Sequence, residues 1–228
     1  MKILTFDTST ETMYVTIDND SDVEAYKIIE TTEKSYNSAH LIPVIIELLQ
    51  GQNLTLQNIK AIGVNIGPGS FTGIRASATV AKVMAQQLDI PVVGVSSLEI
   101  YSLLNNTEKD SLVLLDARRG KAYIAVYGQD GNIILEPQAI EYENAVEYAK
   151  NNDLFIISDK KMSEGLNEAG LKCLNLSEVK ENFGLFLAKS TYKHLSSQKQ
   201  ADSFKWPNLN PLYIQPPPIS TAKSKSKL

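Results

Sequence analysis

The chain has 228 residues, 43% of them hydrophobic and 21% charged, with a formal net charge of −4. This supplies apolar mass for one large domain or two small ones, and it excludes a chain that grips nucleic acid through its overall charge, since phosphate neutralisation dominates such binding. No apolar run reaches the length of a membrane-spanning helix. Met1 to Asp7 puts an acidic residue where a secretory leader needs its apolar stretch. The single cysteine, Cys173, can form neither an internal disulfide nor a zinc cage. A cytoplasmic, acidic protein without metal or cofactor is expected.

The first predicted strand, over 3–6, ends at Asp7. A polar turn through Glu11 leads to a second strand over 13–17, and the turn Asn19-Asp20-Ser21-Asp22 to a third over 23–29. These runs are β-branched and aromatic and are bounded by turn formers, as hairpins are. A helix follows over 38–50, with Leu41, Val44, Ile45, Leu48 and Leu49 at steps of three and four. Pro43 either starts its regular part or bends its first turn. A strand over 61–65, a helix over 70–88 and a strand over 92–95 complete the unit.

The same order is then written again. A strand over 112–115 ends at Asp116, and a polar turn through Lys121 leads to a strand over 122–127. The turn Gln129-Asp130-Gly131-Asn132 precedes a strand over 133–136. A weaker helix over 143–151, a strand over 154–157, a helix over 161–169 and a strand over 173–176 follow. In both copies a tyrosine, Tyr14 or Tyr123, falls seven residues after the aspartate. A last helix over 183–195 is expected to pack back across the halves. Residues 196–210 are polar and turn-rich, 211–215 read as a short strand, and 216–228 read as a disordered, Pro- and Lys-rich tail. A duplicated β-β-β-α-β-α unit is the organisation of the actin-like superfold of sugar kinases and Hsp70-type ATPases, an α/β fold. Its halves would be 1–104 and 105–215.

Working members of that superfold hold ATP phosphates between the two hairpin turns, using glycines for close approach and an aspartate in each turn. Here the first turn is Asp7-Thr8-Ser9-Thr10, without glycine. The second is Asp116-Ala117-Arg118-Arg119-Gly120, with two long cations where a glycine pair is expected. Adenosine-binding glycines are missing after the strand over 154–157, where the chain reads Ser158-Asp159-Lys160. The nucleotide site therefore reads as degenerate. Asp7 and Asp116 are expected as turn formers capping nearby amides, and Arg118 and Arg119 read either as an anion or partner contact or as a solvated hairpin end.

Gly67-Pro68-Gly69-Ser70-Phe71-Thr72-Gly73-Ile74-Arg75 is the most distinctive segment. Ser70 is a natural N-cap for the following helix. No Gly-Lys-Ser/Thr follows, so this is not a phosphate-binding P-loop. Gly67 and Gly69 read either as a tight strand-to-helix turn, the favoured reading, or as a vestigial phosphate or anion loop. Along the helix Gly73, Ala76, Ser77, Val80, Ala81 and Met84 recur at three- and four-residue steps. Small residues on a helix face allow another backbone to come close, and this face reads as a partner surface.

The glycine-rich segment, with Asp7-Thr8-Ser9, His40-Leu41-Ile42-Pro43, Val95-Ser96-Ser97-Leu98 and Asp116-Ala117-Arg118-Arg119-Gly120, resembles the TsaB (YeaZ) family. The resemblance is specific over 1–127 and more diffuse to about 215. It implies an actin-like subunit that pairs with the catalytic homologue TsaD, is joined by the ATPase TsaE, and self-associates when alone. It also implies that tRNA is met only through the complex, where threonylcarbamoyl passes from threonylcarbamoyl-adenylate to adenosine 37 of tRNAs reading codons that begin with A. The implied interface draws on His40, Leu41, Val44, Ile45, Leu48, Ser70, Phe71, Gly73, Ile74, Ala76, Ser77, Val80, Ala81 and Met84. Ala76 stands where the family commonly has glycine, and the Pro-rich tail lies outside the shared pattern.

Two rival chemistries are disfavoured. An ATP-dependent kinase on this superfold lacks its glycines here. A metallopeptidase needs clustered ligands, whereas His40 and His194 lie in distant segments, each followed by leucine.

Overall fold

Strands β1 (Lys2–Asp7), β2 (Thr12–Asn19), β3 (Asp22–Glu30), β4 (Ala61–Gly67) and β5 (Val92–Ser96) form a sheet in the order β3-β2-β1-β4-β5. The computed structural model describes residues 1–19, 22–30, 37–197 and 201–215; the tail expected over 216–228 lies outside them. β1 pairs antiparallel with β2 and parallel with β4. As the central strand it is buried from Ile3 to Asp7, which is why it reads as a nearly continuous apolar run rather than an alternation. The edge strand β3 alternates between exposed and half-buried positions.

The second sheet repeats the plan. Its strands are β6 (Ser111–Arg118), β7 (Lys121–Tyr127), β8 (Ile133–Glu141), β9 (Phe155–Ser158) and β10 (Leu174–Asn175), ordered β10-β9-β6-β7-β8. β6 takes the place of β1, antiparallel to β7 and parallel to β9. β8 runs to Glu141, beyond the expected end at Glu136. The strand passes through Pro137 because β8 is an edge strand, where a missing N–H costs no ladder bond on the open side. No strand forms over 211–215; Leu212 N–H donates to Ile66 O at 2.8 Å, one bond beside the end of β4.

Helices α1 (Asn37–Gly51) and α2 (Phe71–Leu88) cover one face of the first sheet. α1 continues through Pro43. Ala39, whose carbonyl loses its intrahelical donor there, is exposed, so water can supply the bond. α3 (Ser97–Ser102), a short helix the sequence reading did not anticipate, is capped by Ser96 accepting from Leu98 N–H. In the second half α4 (Tyr142–Asn151) and α5 (Lys160–Glu168) cover the outer face of the second sheet.

The two halves share a core. α6 (Phe183–Ser196) leaves the second half and lies on β1, β2, β4 and β5 of the first sheet and on α3. Its seat requires glycine: a Cβ on Gly63 would stand 2.0 Å from Thr191 Oγ1. α3 in turn reaches β6 and β7. Between them Val93, Val95, Leu98 and Ile100 pack with Val113, Leu115, Tyr127 and Leu187.

Candidate functional site

In both hairpin turns the aspartate is tied into the chain. Asp7 Oδ1 accepts from Ser9 N–H at 2.7 Å, and Oδ2 accepts from Asn65 Nδ2 at 2.8 Å. Asp116 Oδ1 accepts from Arg118 N–H at 3.1 Å and from Lys161 Nζ at 2.9 Å. Asp7 is buried, and desolvation is the main cause that holds its carboxyl above the usual range, against the lowering bonds from Asn65 and Ser9. Behind it Tyr14 of β2 and Tyr101 of α3 meet the edge of Phe183 of α6, with ring centroids 5.9 and 5.1 Å away.

Asn65 organises the first turn. Its Nδ2 also donates to Ser9 Oγ at 3.0 Å, and its Oδ1 accepts from Gly67 N–H at 2.7 Å and Ser97 Oγ at 2.9 Å. Sequence reasoning missed this residue, which sits inside an apolar strand; its position just before Gly67 was the available signal. Gly67, at φ +101°, turns the chain after β4. The loop then folds onto the first hairpin: Ser70 N–H donates to Ser9 O at 2.7 Å, and Thr8 Oγ1 donates to Gly73 O at 2.8 Å. A Cβ on Gly73 would lie 1.8 Å from Thr8 O, and one on Gly69 would lie 2.7 Å from Ser9 O. These glycines let the start of α2 press against the Asp7 turn.

The second turn is a tight hairpin end. Arg119 and Gly120 have φ of 52° and 75°, and Arg118 at 62° follows a bulge between Asp116 and Arg118. Both arginines are exposed. Asp159 caps α5, accepting from Met162 N–H at 2.9 Å, and accepts Asp116 N–H at 2.6 Å, which fastens α5 to the turn.

The helix residues expected at a partner surface divide in two. Leu41, Val44, Ile45, Gly73, Ile74, Ser77 and Ala81 are buried in the chain's own core, and Leu48, Val80 and Met84 pack partly buried against it. The reading that gave them to a partner is corrected for the buried set, because the strongest apolar stripe of an amphipathic helix covers its own sheet. Ser77 Oγ donates back to Gly73 O and Ile74 O. His40, Ser70 and Phe71 are exposed and Ala76 is half-buried. The outward side of the pair carries apolar side chains that were not singled out: Ile42 (54% exposed) and Ile46 (48%) on α1, and Val83 (53%) on α2. Their signal was the one-turn spacing of Ile42 and Ile46. At the start of α2, Phe71 stacks on Tyr213, with centroids 5.8 Å apart, under the Arg75 guanidinium at 5.0 Å.

Among the described residues, no group of three or more His, Cys, Asp or Glu is placed to hold a metal ion, and no helix is long and apolar enough to cross a membrane. His194 meets Glu99, with Nε2 2.9 Å from Oε1, far from His40 in the fold's connectivity.

A family model described as TsaD, tRNA N6-adenosine threonylcarbamoyltransferase, matches residues 30–214. The tRNA threonylcarbamoyladenosine biosynthesis protein TsaB of Bacillus subtilis is 32% identical over 176 residues, covering 74% of this chain and 76% of that protein. The solved structure of YeaZ from Pseudomonas aeruginosa superposes with a TM-score of 0.68 at 21% identity, over 93% of this chain and 99% of that one. The ROK hexokinase of Thermus thermophilus superposes with a TM-score of 0.50 at 12% identity, over 86% and 100%. These two structural likenesses speak for the fold, which is the actin-like, sugar-kinase-like one.

Proposed function

We propose that this chain, which belongs to the TsaB (YeaZ) branch of the tRNA N6-adenosine threonylcarbamoyltransferase family, serves threonylcarbamoyladenosine formation on tRNA as a non-catalytic subunit. It docks a TsaD-type catalytic homologue through the outward side of α1 and α2, and a TsaE-type ATPase joins the pair. The partner transfers threonylcarbamoyl from its adenylate to N6 of adenosine 37 in tRNAs reading codons that begin with A; the chain alone self-associates through the same helices and works in the cytoplasm.

The observation that carries the non-catalytic role is the occupied first turn. Both Asp7 oxygens are taken by Ser9 and Asn65, and the start of α2 is bonded to Thr8 and Ser9. An aspartate that organises metal and water turns its carboxylate to them, whereas this one is buried and turned to the chain's own Ser9 and Asn65. The docking role is supported by Ile42, Ile46 and Val83, exposed on adjacent helices. Two such helices can offer a face of standard size, roughly 800 Å².

The test uses pure chain with ATP and a tRNA transcript, then the set reconstituted with TsaD- and TsaE-type partners. The expected result is no turnover by the chain alone and modification only when it joins the set. Saturable ATP turnover by the chain alone, abolished in Asp7→Asn, would contradict the proposal.

A further inference from the structure

We propose that the β6–β7 turn and the start of α5 form a contact for the phosphodiester backbone of RNA, made by Arg118, Arg119 and Lys160. The proposal rests on the tRNA reading above and adds a residue-level contact to it. Three observations meet there. First, the cations are brought together by one carboxylate: Asp116 Oδ1 accepts from Arg118 N–H and from Lys161 Nζ, joining the turn to α5. Lys161 is spent on that bond and Lys121 pairs with Glu141 at 3.1 Å. Arg118, Arg119 and Lys160 have no carboxylate partner among the described residues, whereas Lys2, Lys27 and Lys109 elsewhere are paired with Glu24, Glu47 and Asp153.

Second, the turn breaks a local rule. Arg118 and Arg119 hold φ of 62° and 52°, where side chains other than Gly, Asn and Asp are disfavoured. Local violations of this kind collect where function demands them. Third, Lys160 follows the N-cap Asp159, whose other carboxyl oxygen accepts from Asp116 N–H, so the start of α5 is fastened to the turn and sets its cation beside those of the arginines. Exposed arginines on a fixed turn, with no base-reading groove around them, suit phosphate oxygens, which position an RNA without reading its sequence.

The experiment measures binding of an unmodified tRNA transcript to the full chain assembled with its TsaD-type partner, across a salt series. The protein is wild type or carries Arg119→Gln with Lys160→Gln. The variant is expected to bind roughly tenfold more weakly at low salt and to lower the salt slope by about two. Arg118→Asn is the second variant. Asparagine tolerates the left-handed backbone, so a purely structural role for Arg118 predicts unchanged or improved melting with unchanged RNA binding. The proposal predicts unchanged or improved melting with a slope lowered by about one. Equal affinity and slope in all variants would overturn it. So would loss of partner assembly with RNA binding retained, which marks a protein contact, or full displacement of the RNA by stoichiometric pyrophosphate, which marks a small-anion site. A wild-type set that binds tRNA but never modifies it would count against the proposed function and leave this contact standing.

Discussion

Asp18 has a carboxyl oxygen without a donor, at the bulge where β2 shifts register against β3. Its Oδ2 accepts from Thr16 Oγ1 at 2.6 Å, but Oδ1 is buried and meets no partner among the described residues. Burial, with a small push from Glu24, raises its pKa from 3.8 to about 6. A raised carboxylate binds its proton more tightly in the folded state. Its contribution to stability is therefore full below about pH 4 and is lost as pH rises through about 6. Asp18→Asn, which removes the charge, should stabilise the chain at pH 7.5 by about 1–3 kcal/mol and lose that advantage near pH 4. Urea melts at the two values check it, and an equal effect at both contradicts the assignment. At this scale the sequence was half legible. Aspartates as caps of their own turns are local chemistry and could be read directly from Asp7 and Asp116. The role of Asn65 could not, because its partners come from β1's turn and α3, segments 56 and 32 residues away.

The helices show where pattern reading stops. The periodicity of α1 and α2 was legible, but periodicity says only that a stripe is apolar, not which neighbour it meets. Here the stripe with Leu41, Val44, Ile45 and Ala81 meets the chain's own sheet. A second, sparser set faces out. The contrast is sharp on α2, where Ala81 is fully buried and Val83, two residues on, is 53% exposed. Ala81→Glu should therefore cost the fold about 3–5 kcal/mol through an unpaired buried charge, while Val83→Glu should stay within about 0.5 kcal/mol of wild type. Thermal melts of the two variants decide. Equal losses would mean that α2 is covered on both sides. Register was also beyond pattern. Tyr14 and Tyr123 share a sequence offset, yet Asp7 faces Tyr14 whereas Asp116 faces Ala122, because the bulge after Asp116 slips the pairing by one residue.

For the molecule as a whole, the duplication was legible because each half repeats its own local order of strand, turn and helix. The coupling of the halves was legible only in outline. α6 was expected to cross, but its seat on Gly63 and the core shared by Leu98, Leu115 and Leu187 arise from packing between residues far apart in sequence. That shared core joins the two halves, while α1 and α2 pack on the first sheet in a separate cluster. The chain's proposed contribution is thus a docking face and not the Asp7 turn. The most direct test is tRNA modification by the reconstituted set, with the chain carrying either Asp7→Asn or Ile46→Glu and each variant first shown to melt cooperatively. A charge at the centre of the face must be desolvated without a partner, a cost of several kcal/mol, or about a thousandfold in association. The predicted result is modification retained with Asp7→Asn and lost with Ile46→Glu; loss with Asp7→Asn and retention with Ile46→Glu would contradict it.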